Sequence, residues 1–167
     1  GFATLLYARG RDQDPRKLVP PSIYKTDRFA EMLCSTDEGQ DMLLTGDAAY
    51  AVGEGMAFLA WLMPESHWVT IYRKSLKRAG AGSMLLPMKL DKEIPQQGPE
   101  FTPFIEMPDL GYMASVRKLG DEQVKLFLMG NKAGGDHQHE DKGSFILECA
   151  GDSFSFDFGS VDYSNPV

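Results

Sequence analysis

The feature that most constrains this chain is a change in the spacing of its apolar residues. Apolar residues fall on one face of an α-helix over residues 52–63. From about residue 111 they recur in short runs or at every second position, as in β-strands. Between the two patterns, residues 80–103 are rich in glycine and proline, which break helices. The sequence therefore predicts an α+β protein, with a helical domain over residues 1–99 and a β domain over residues 100–167.

The helical part is predicted to contain a pair of antiparallel helices. The first helix covers residues 48–63 and ends before Pro64, and the second covers residues 65–78. Two helices joined by so short a turn pack side by side. A further short helix is predicted from Asp27 to Cys34, with Asp27 as its N-cap.

The β part is predicted to consist of short antiparallel strands. Residues 112–117 and 124–129 form one pair, and residues 144–149 and 153–158 form a second pair. A two-residue turn at Gly151 and Asp152 would place a set of apolar side chains on one face, predicted to be the core: Phe145, Leu147, Cys149, Phe154, Phe156 and Phe158. The side chain of Asp157 would then point to the opposite face.

Composition limits the classes of partner. The net charge of -7 argues against nucleic acid, because binding it requires a basic field. No apolar run approaches the roughly 18 residues that a membrane span requires. The two cysteines, Cys34 and Cys149, do not form a disulfide framework. Because the chain begins with Gly1 rather than Met, we expect it to be a piece of a longer protein.

The strongest candidate for a functional site is the polar stretch at residues 134–145. His137 and His139 have the same parity, so both side chains point the same way on an extended backbone. Two neutral imidazoles and an acidic ligand, for which Asp157 is the candidate, suit a divalent metal. In the predicted hairpin Asp157 lies opposite Ile146, which is seven residues past His139. A straight strand would therefore hold His139 and Asp157 ~23 Å apart, at ~3.3 Å per residue, so residues 140–143 must fold back. The alternative is a polar loop with two solvated histidines.

The stretch from Asp136 to Phe145, followed by a hairpin and Phe156-Asp157-Phe158-Gly159, resembles the heparinase II/III-like family of polysaccharide lyases. Members of that family carry a His-x-His-x-Asp segment, a strand pair and then an aspartate beside a glycine. The resemblance implies the C-terminal helices of an (α/α) toroid followed by part of an antiparallel β-sandwich. It covers most of residues 45–167 and is specific over residues 134–159.

The resemblance implies eliminative cleavage of uronic-acid-containing polysaccharides. A base removes the C5 proton once the neighbouring carboxylate is neutralised, and an acid protonates the departing 4-oxygen. His137 matches the histidine that faces the substrate, His139 the first metal ligand and Asp157 the acidic ligand. The metal is zinc in relatives and braces the site. Asp141 matches the aspartate of the motif, in a supporting or turn role.

The resemblance also implies an anionic polysaccharide as partner and a periplasmic or secreted location. The sequence departs from the family at Asp136, where several relatives have asparagine. The third metal ligand would lie downstream of this chain and the catalytic tyrosine upstream, in the remainder of the parent chain. We therefore expect residues 1–167 alone to be inactive.

Three other interpretations remain open. A uronate epimerase of the same fold uses the same proton abstraction. A cupin-like metal oxygenase or isomerase also uses His-x-His, but it requires a glutamate a few residues later, and Glu140 is too early and Glu148 too late. A non-catalytic glycan-binding sandwich would use the histidines structurally.

Overall fold

A computed structural model of the chain describes residues 7–8, 10–45, 54–79, 91–130 and 143–155. It belongs to the α+β class, since helices are followed along the chain by an antiparallel sheet. The chain divides into two compact units. The first comprises Gly1–Glu31 and Val52–Glu100, and the second comprises Met32–Ala51 and Phe101–Val167.

The described helices are one 3₁₀ helix, Pro15–Leu18, and four α-helices: α1 Pro21–Tyr24, α2 Thr26–Leu33, α3 Glu54–Leu62 and α4 His67–Ala79. The prediction of a helix pair is confirmed for the described residues of α3 and α4, and residues 46–53 lie outside the described part. None of the helices described is both long and apolar enough to cross a membrane.

The helix pair has a core of aromatic and small apolar side chains, which are Ala57, Ala60, Trp61, Leu62, Trp68, Val69, Ile71 and Tyr72. Ser66 fixes the turn between the helices, because its Oγ donates to the carbonyl of Met63 at 2.7 Å. Arg73 holds the following segment against α4. Its Nη1 lies 2.7 Å from Asp91 Oδ1 and its Nη2 donates to Ile94 O at 2.6 Å.

The prediction that Asp27 caps its helix is wrong. The helix α2 begins one residue earlier, at Thr26, so Asp27 lies inside the first turn. An N-cap side chain accepts a hydrogen bond from a backbone N–H two or three residues later, and this requires the residue to precede the helix. Thr26 instead follows α1 almost directly, and its Oγ1 donates back to Ile23 O at 2.6 Å.

The second unit is built on a five-stranded antiparallel sheet in which each strand pairs with the next along the chain. The strands are β1 Phe104–Met107, β2 Tyr112–Leu119, β3 Glu122–Met129, β4 Phe145–Cys149 and β5 Asp152–Ser155. The predicted strands at 112–117 and 124–129 are confirmed within β2 and β3. Gly120, whose φ of 65° suits glycine, forms the turn between them with Asp121.

The predicted turn of the last hairpin is wrong by one residue. Cys149 pairs with Asp152, so Ala150 and Gly151 form the turn. Both have positive φ, 53° and 82°, as a type I′ turn requires. This turn was not predicted because alanine seldom adopts positive φ.

The predicted core face of the same hairpin is also wrong. The side chain of Phe145 is 50% exposed and that of Phe154 is 69% exposed. The buried face is the opposite one, formed by Ile105, Ala114, Val116, Lys125, Phe127, Met129, Ile146 and Glu148. Phe156 and Phe158, which the same prediction included, lie outside the described residues.

Candidate functional site

Three strand ends lie at one edge of the sheet, which we call the site edge and define by Met129, Gly143, Phe145 and Ser155. The end of β3 is joined to the start of β4, because Gly143 N donates to Met129 O at 2.8 Å. The end of β5 lies beside the start of β4, because Ser155 Oγ donates to Phe145 O at 3.1 Å. The end of β3, the start of β4 and the described end of β5 therefore all lie at the site edge.

The predicted site residues belong to the two stretches of sequence that are attached to the site edge. His137 and His139 are in the connection between β3 and β4, and Asp157 comes two residues after β5. All three lie outside the described residues, as do Asp136 and Asp141. Their roles therefore stay predictions. The distances between their side chains are not part of the described geometry.

The predicted metal ligands, His139 and Asp157, suit a metal by their chemistry. An imidazole nitrogen and a carboxylate oxygen are ligands that zinc accepts, and the remaining positions are left for further ligands. Elsewhere, among the residues that the structure describes, no group of three or more histidine, cysteine, aspartate or glutamate side chains is placed to hold a metal ion.

The described part of the sheet contains a buried charged cluster, which consists of Glu148, Lys125, Ser35 and Thr36. Glu148 on β4 is fully buried and Lys125 on β3 is 1% exposed, and the two residues are directly paired across the strands. The carboxylate of Glu148 accepts three hydrogen bonds, from Ser35 Oγ, from Thr36 N at 2.7 Å and from Thr36 Oγ1 at 2.8 Å. Every described donor to this carboxylate comes from one short loop.

Lys125 binds the same loop from the neighbouring strand. Its Nζ donates to the carbonyl of Cys34, and it lies 4.9 Å from the centre of the Phe101 ring. Farther along the loop, Asp37 accepts a hydrogen bond from Ser153 Oγ on β5 at 2.7 Å. The loop is thus attached to three adjacent strands, and the buried charged cluster holds it in place. Because its two charged groups are shielded from solvent, we assign the cluster a structural role.

The buried charged cluster was not predicted from the sequence. A charged residue inside a strand normally indicates a solvent-facing position. Here the alternation of apolar residues does not show that Lys125 and Glu148 are buried, because both faces of β3 and β4 carry apolar side chains. A weak signal was present in the serine and threonine at positions 35 and 36, which are suitable donors for a buried carboxylate.

Comparison with known proteins adds no family to this description: no protein-family model, no curated protein and no solved structure matches the chain.

Proposed function

We propose that this chain is part of a polysaccharide lyase of the heparinase II/III-like type, which cleaves uronic-acid-containing polysaccharides by β-elimination and binds zinc. The observation that carries the proposal is the common attachment of two stretches to the site edge. One stretch contains His137 and His139, and the other contains Asp157.

The strand pairing agrees with part of the geometry that a shared ion requires. The attachment points, Phe145 and Ser155, lie on adjacent strands, and Ser155 pairs with Leu147, two residues from Phe145. Both stretches are therefore attached to neighbouring strand ends, which supports the proposal that they share an ion. The path of residues 131–142, which must fold back to bring His139 close to Asp157, lies outside the described residues.

The proposed roles follow from the chemistry of each side chain. His139 and Asp157 are the metal ligands, and zinc supplies a fixed positive centre that orders the site. His137 faces the sugar, where its imidazole takes a proton or neutralises the uronate carboxylate. Because the chain carries a net charge of -7, the polysaccharide must be attracted by a local basic pocket rather than by the whole surface.

The proposal includes an (α/α) toroid and a β-sandwich in the parent protein. The pair α3 and α4 has the form of the helical hairpin that such a toroid repeats. One face of the sheet carries partly exposed apolar side chains, including Phe104 at 51% and Met113 at 39% exposure. A second sheet packed on that face would complete a sandwich. A periplasmic or secreted location is part of the same proposal.

Zinc binding by the 167-residue chain tests the metal site. We expect zinc to bind, and we expect His139→Ala and Asp157→Ala to weaken binding by at least tenfold each, since each removes one ligand. Asp121→Asn, in the exposed β2–β3 turn, is the matched control and should bind like the unmodified chain. Equal zinc affinity of the Asp157 and Asp121 variants would contradict the site.

An activity measurement tests the proposed reaction, and the protein assayed is the proposed parent protein. We expect the parent protein to release unsaturated uronates from a uronic-acid polymer, and His137→Ala to abolish this release while leaving the circular dichroism spectrum unchanged. Metal-dependent oxygen uptake without unsaturated products would favour the cupin-like alternative. A uronate that changes configuration without cleavage would favour an epimerase.

A further inference from the structure

The first unit contains a cavity that the proposed lyase site does not use. Its volume is about 380 Å³, within the range of roughly 300–1,000 Å³ that is typical of small-molecule sites. The lining comes from the end of α1, the start of α2 and the turn between α3 and α4, and consists of Tyr24, Asp27, Leu62, Met63, Pro64, Glu65 and Ser66. We call it the Asp27 cavity.

The carboxylate of Asp27 has an unsatisfied oxygen. Its Oδ1 is buried and has no hydrogen-bond partner in the described structure. Asp27 lies in the first turn of α2, where the helix dipole favours its negative charge but supplies no hydrogen bond to Oδ1. Leaving a buried acceptor unpaired opposes folding. Oδ1 is closed off from solvent, so a ligand in the cavity would not pair with it directly; a bound cation would instead offset the unpaired negative charge of the carboxylate, which lines the cavity.

The other polar side chains of the Asp27 cavity also offer acceptors. The hydroxyl of Tyr24 donates its hydrogen to Arg16 O at 3.1 Å, and the hydroxyl of Ser66 donates its hydrogen to Met63 O at 2.7 Å. Each hydroxyl oxygen can then only accept. Glu65, which is exposed, adds a second carboxylate. The lining side chains therefore favour a donor and repel an anion.

Hydrogen bonds fix the backbone segments that surround the Asp27 cavity. Trp68, at the start of α4, donates from Nε1 to Thr26 Oγ1 at 3.2 Å, which joins the start of α4 to the start of α2. Ser66 fixes the turn that carries Glu65. The apolar part of the lining, Leu62, Met63 and Pro64, provides a surface for a nonpolar group beside the two carboxylates.

We propose that the Asp27 cavity binds a small molecule that carries a protonated amine on an apolar body. The ammonium group donates to Asp27 and Glu65, and the apolar body packs on Leu62, Met63 and Pro64. An ammonium group fits because it has three donors and no acceptor, whereas the lining side chains have acceptors and no free donor. The binding requires neither a metal nor the residues at the site edge.

Three probes of nearly equal size test the charge preference of the cavity. Benzylamine, benzyl alcohol and benzoate share one ring and differ in a cationic, a neutral and an anionic group. In ¹H–¹⁵N NMR titrations of the 167-residue chain, we expect benzylamine to shift the amides of Asp27, Glu65 and Ser66 saturably. Benzyl alcohol should bind more weakly and benzoate should leave these amides unshifted.

Variants separate binding from folding. Asp27→Asn should weaken benzylamine binding by roughly tenfold or more, the loss expected for one charge-assisted hydrogen bond. Glu65→Gln, at an exposed turn position that tolerates substitution, should also weaken it. Asp109→Asn, in an exposed turn of the second unit, is the matched control and should not. The proposal is overturned if benzoate shifts the same amides as strongly, if benzylamine gives no saturable shift, or if the Glu65 and Asp109 variants bind equally.

Discussion

The buried charged cluster gives the sharpest prediction about stability. Glu148→Gln keeps the size and shape of the side chain but removes its charge. The three donors that bind this carboxylate, Ser35 Oγ, Thr36 N and Thr36 Oγ1, would then face a neutral group with one acceptor oxygen. We expect the loop that contains Ser35 and Thr36 to lose most of its attachment to β4.

The expected loss of stability in Glu148→Gln follows from the three hydrogen bonds. A hydrogen bond to a charged acceptor contributes about 1.5–3 kcal/mol and a neutral one about 0.5–1.5 kcal/mol, so each bond loses about 1 kcal/mol. Three bonds give a destabilisation of about 3 kcal/mol. Lys125, buried on the neighbouring strand, also loses the charge of its cross-strand partner, so this figure is a minimum.

The assay must report on the sheet rather than on the helices. Both tryptophans, Trp61 and Trp68, lie in the first unit, so their fluorescence reports on that unit. Native-state hydrogen exchange of the β3 and β4 amides in urea measures the opening free energy of the sheet directly. We expect these amides in Glu148→Gln to lose about 3 kcal/mol of protection.

The matched control is Glu122→Gln, the same substitution at an exposed position on β3. It should change the opening free energy by less than about 0.5 kcal/mol. If Glu148→Gln changes the exchange of the β4 amides no more than Glu122→Gln does, the three hydrogen bonds do not hold the loop, and the reasoning fails.

Two further predictions concern the first unit. Burial, followed by the hydrogen bond and charge of Asp91, raises the pKa of Tyr72 above its usual range, so its neutral form is favoured in the folded protein. The resulting stability is present below pH about 10 and is lost as the pH rises further. Tyr72→Phe should flatten this loss in alkaline unfolding followed by tryptophan fluorescence, and an unchanged profile would contradict the assignment. Gly98→Ala should destabilise by about 1–3 kcal/mol in urea unfolding, because a Cβ there would collide with Thr70 Oγ1 and lie 3.2 Å from Thr70 N. Gly55→Ala in α3, where a Cβ meets no atom within 4 Å, should instead be neutral or stabilising, and equal losses in both variants would refute the steric argument.

The helix pair could be predicted because two apolar segments of helical length flank a short turn at Pro64. The first, α3, is apolar on all sides, whereas α4 has one apolar face. In α4 the side chains of Val69, Tyr72 and Ser75 are buried, and the charged residues Lys77 and Arg78 are exposed. The period of 3.6 residues therefore coincides with burial. The strands β2 and β3 could be predicted for a similar reason, since an apolar run and a short turn containing glycine suffice to identify them.

The buried face of the sheet could not be predicted from the sequence, because the more apolar face of β4 is the less buried one. In β4, Phe145, Leu147 and Cys149 form the more apolar face, yet the buried face carries Ile146 and Glu148. Strand periodicity assumes that charge marks the solvent side. A buried charge with three hydrogen bonds breaks that assumption, and its donors lie more than a hundred residues away in sequence.

The same limit applies to the candidate site, because the distance between His139 and Asp157 depends on strand register and not on their spacing in the sequence. A separation of 18 residues between His139 and Asp157 is compatible with a distance of many ångströms or with one shared ion. The type I′ turn at Ala150 and Gly151 decides where β5 runs, and β5 ends beside the start of β4. A two-residue turn that twists with its strands returns the chain to the edge from which β4 began. The hairpin, which the sequence predicts with its turn one residue too late, thus brings the attachment point of the acidic stretch back towards that of the histidine stretch.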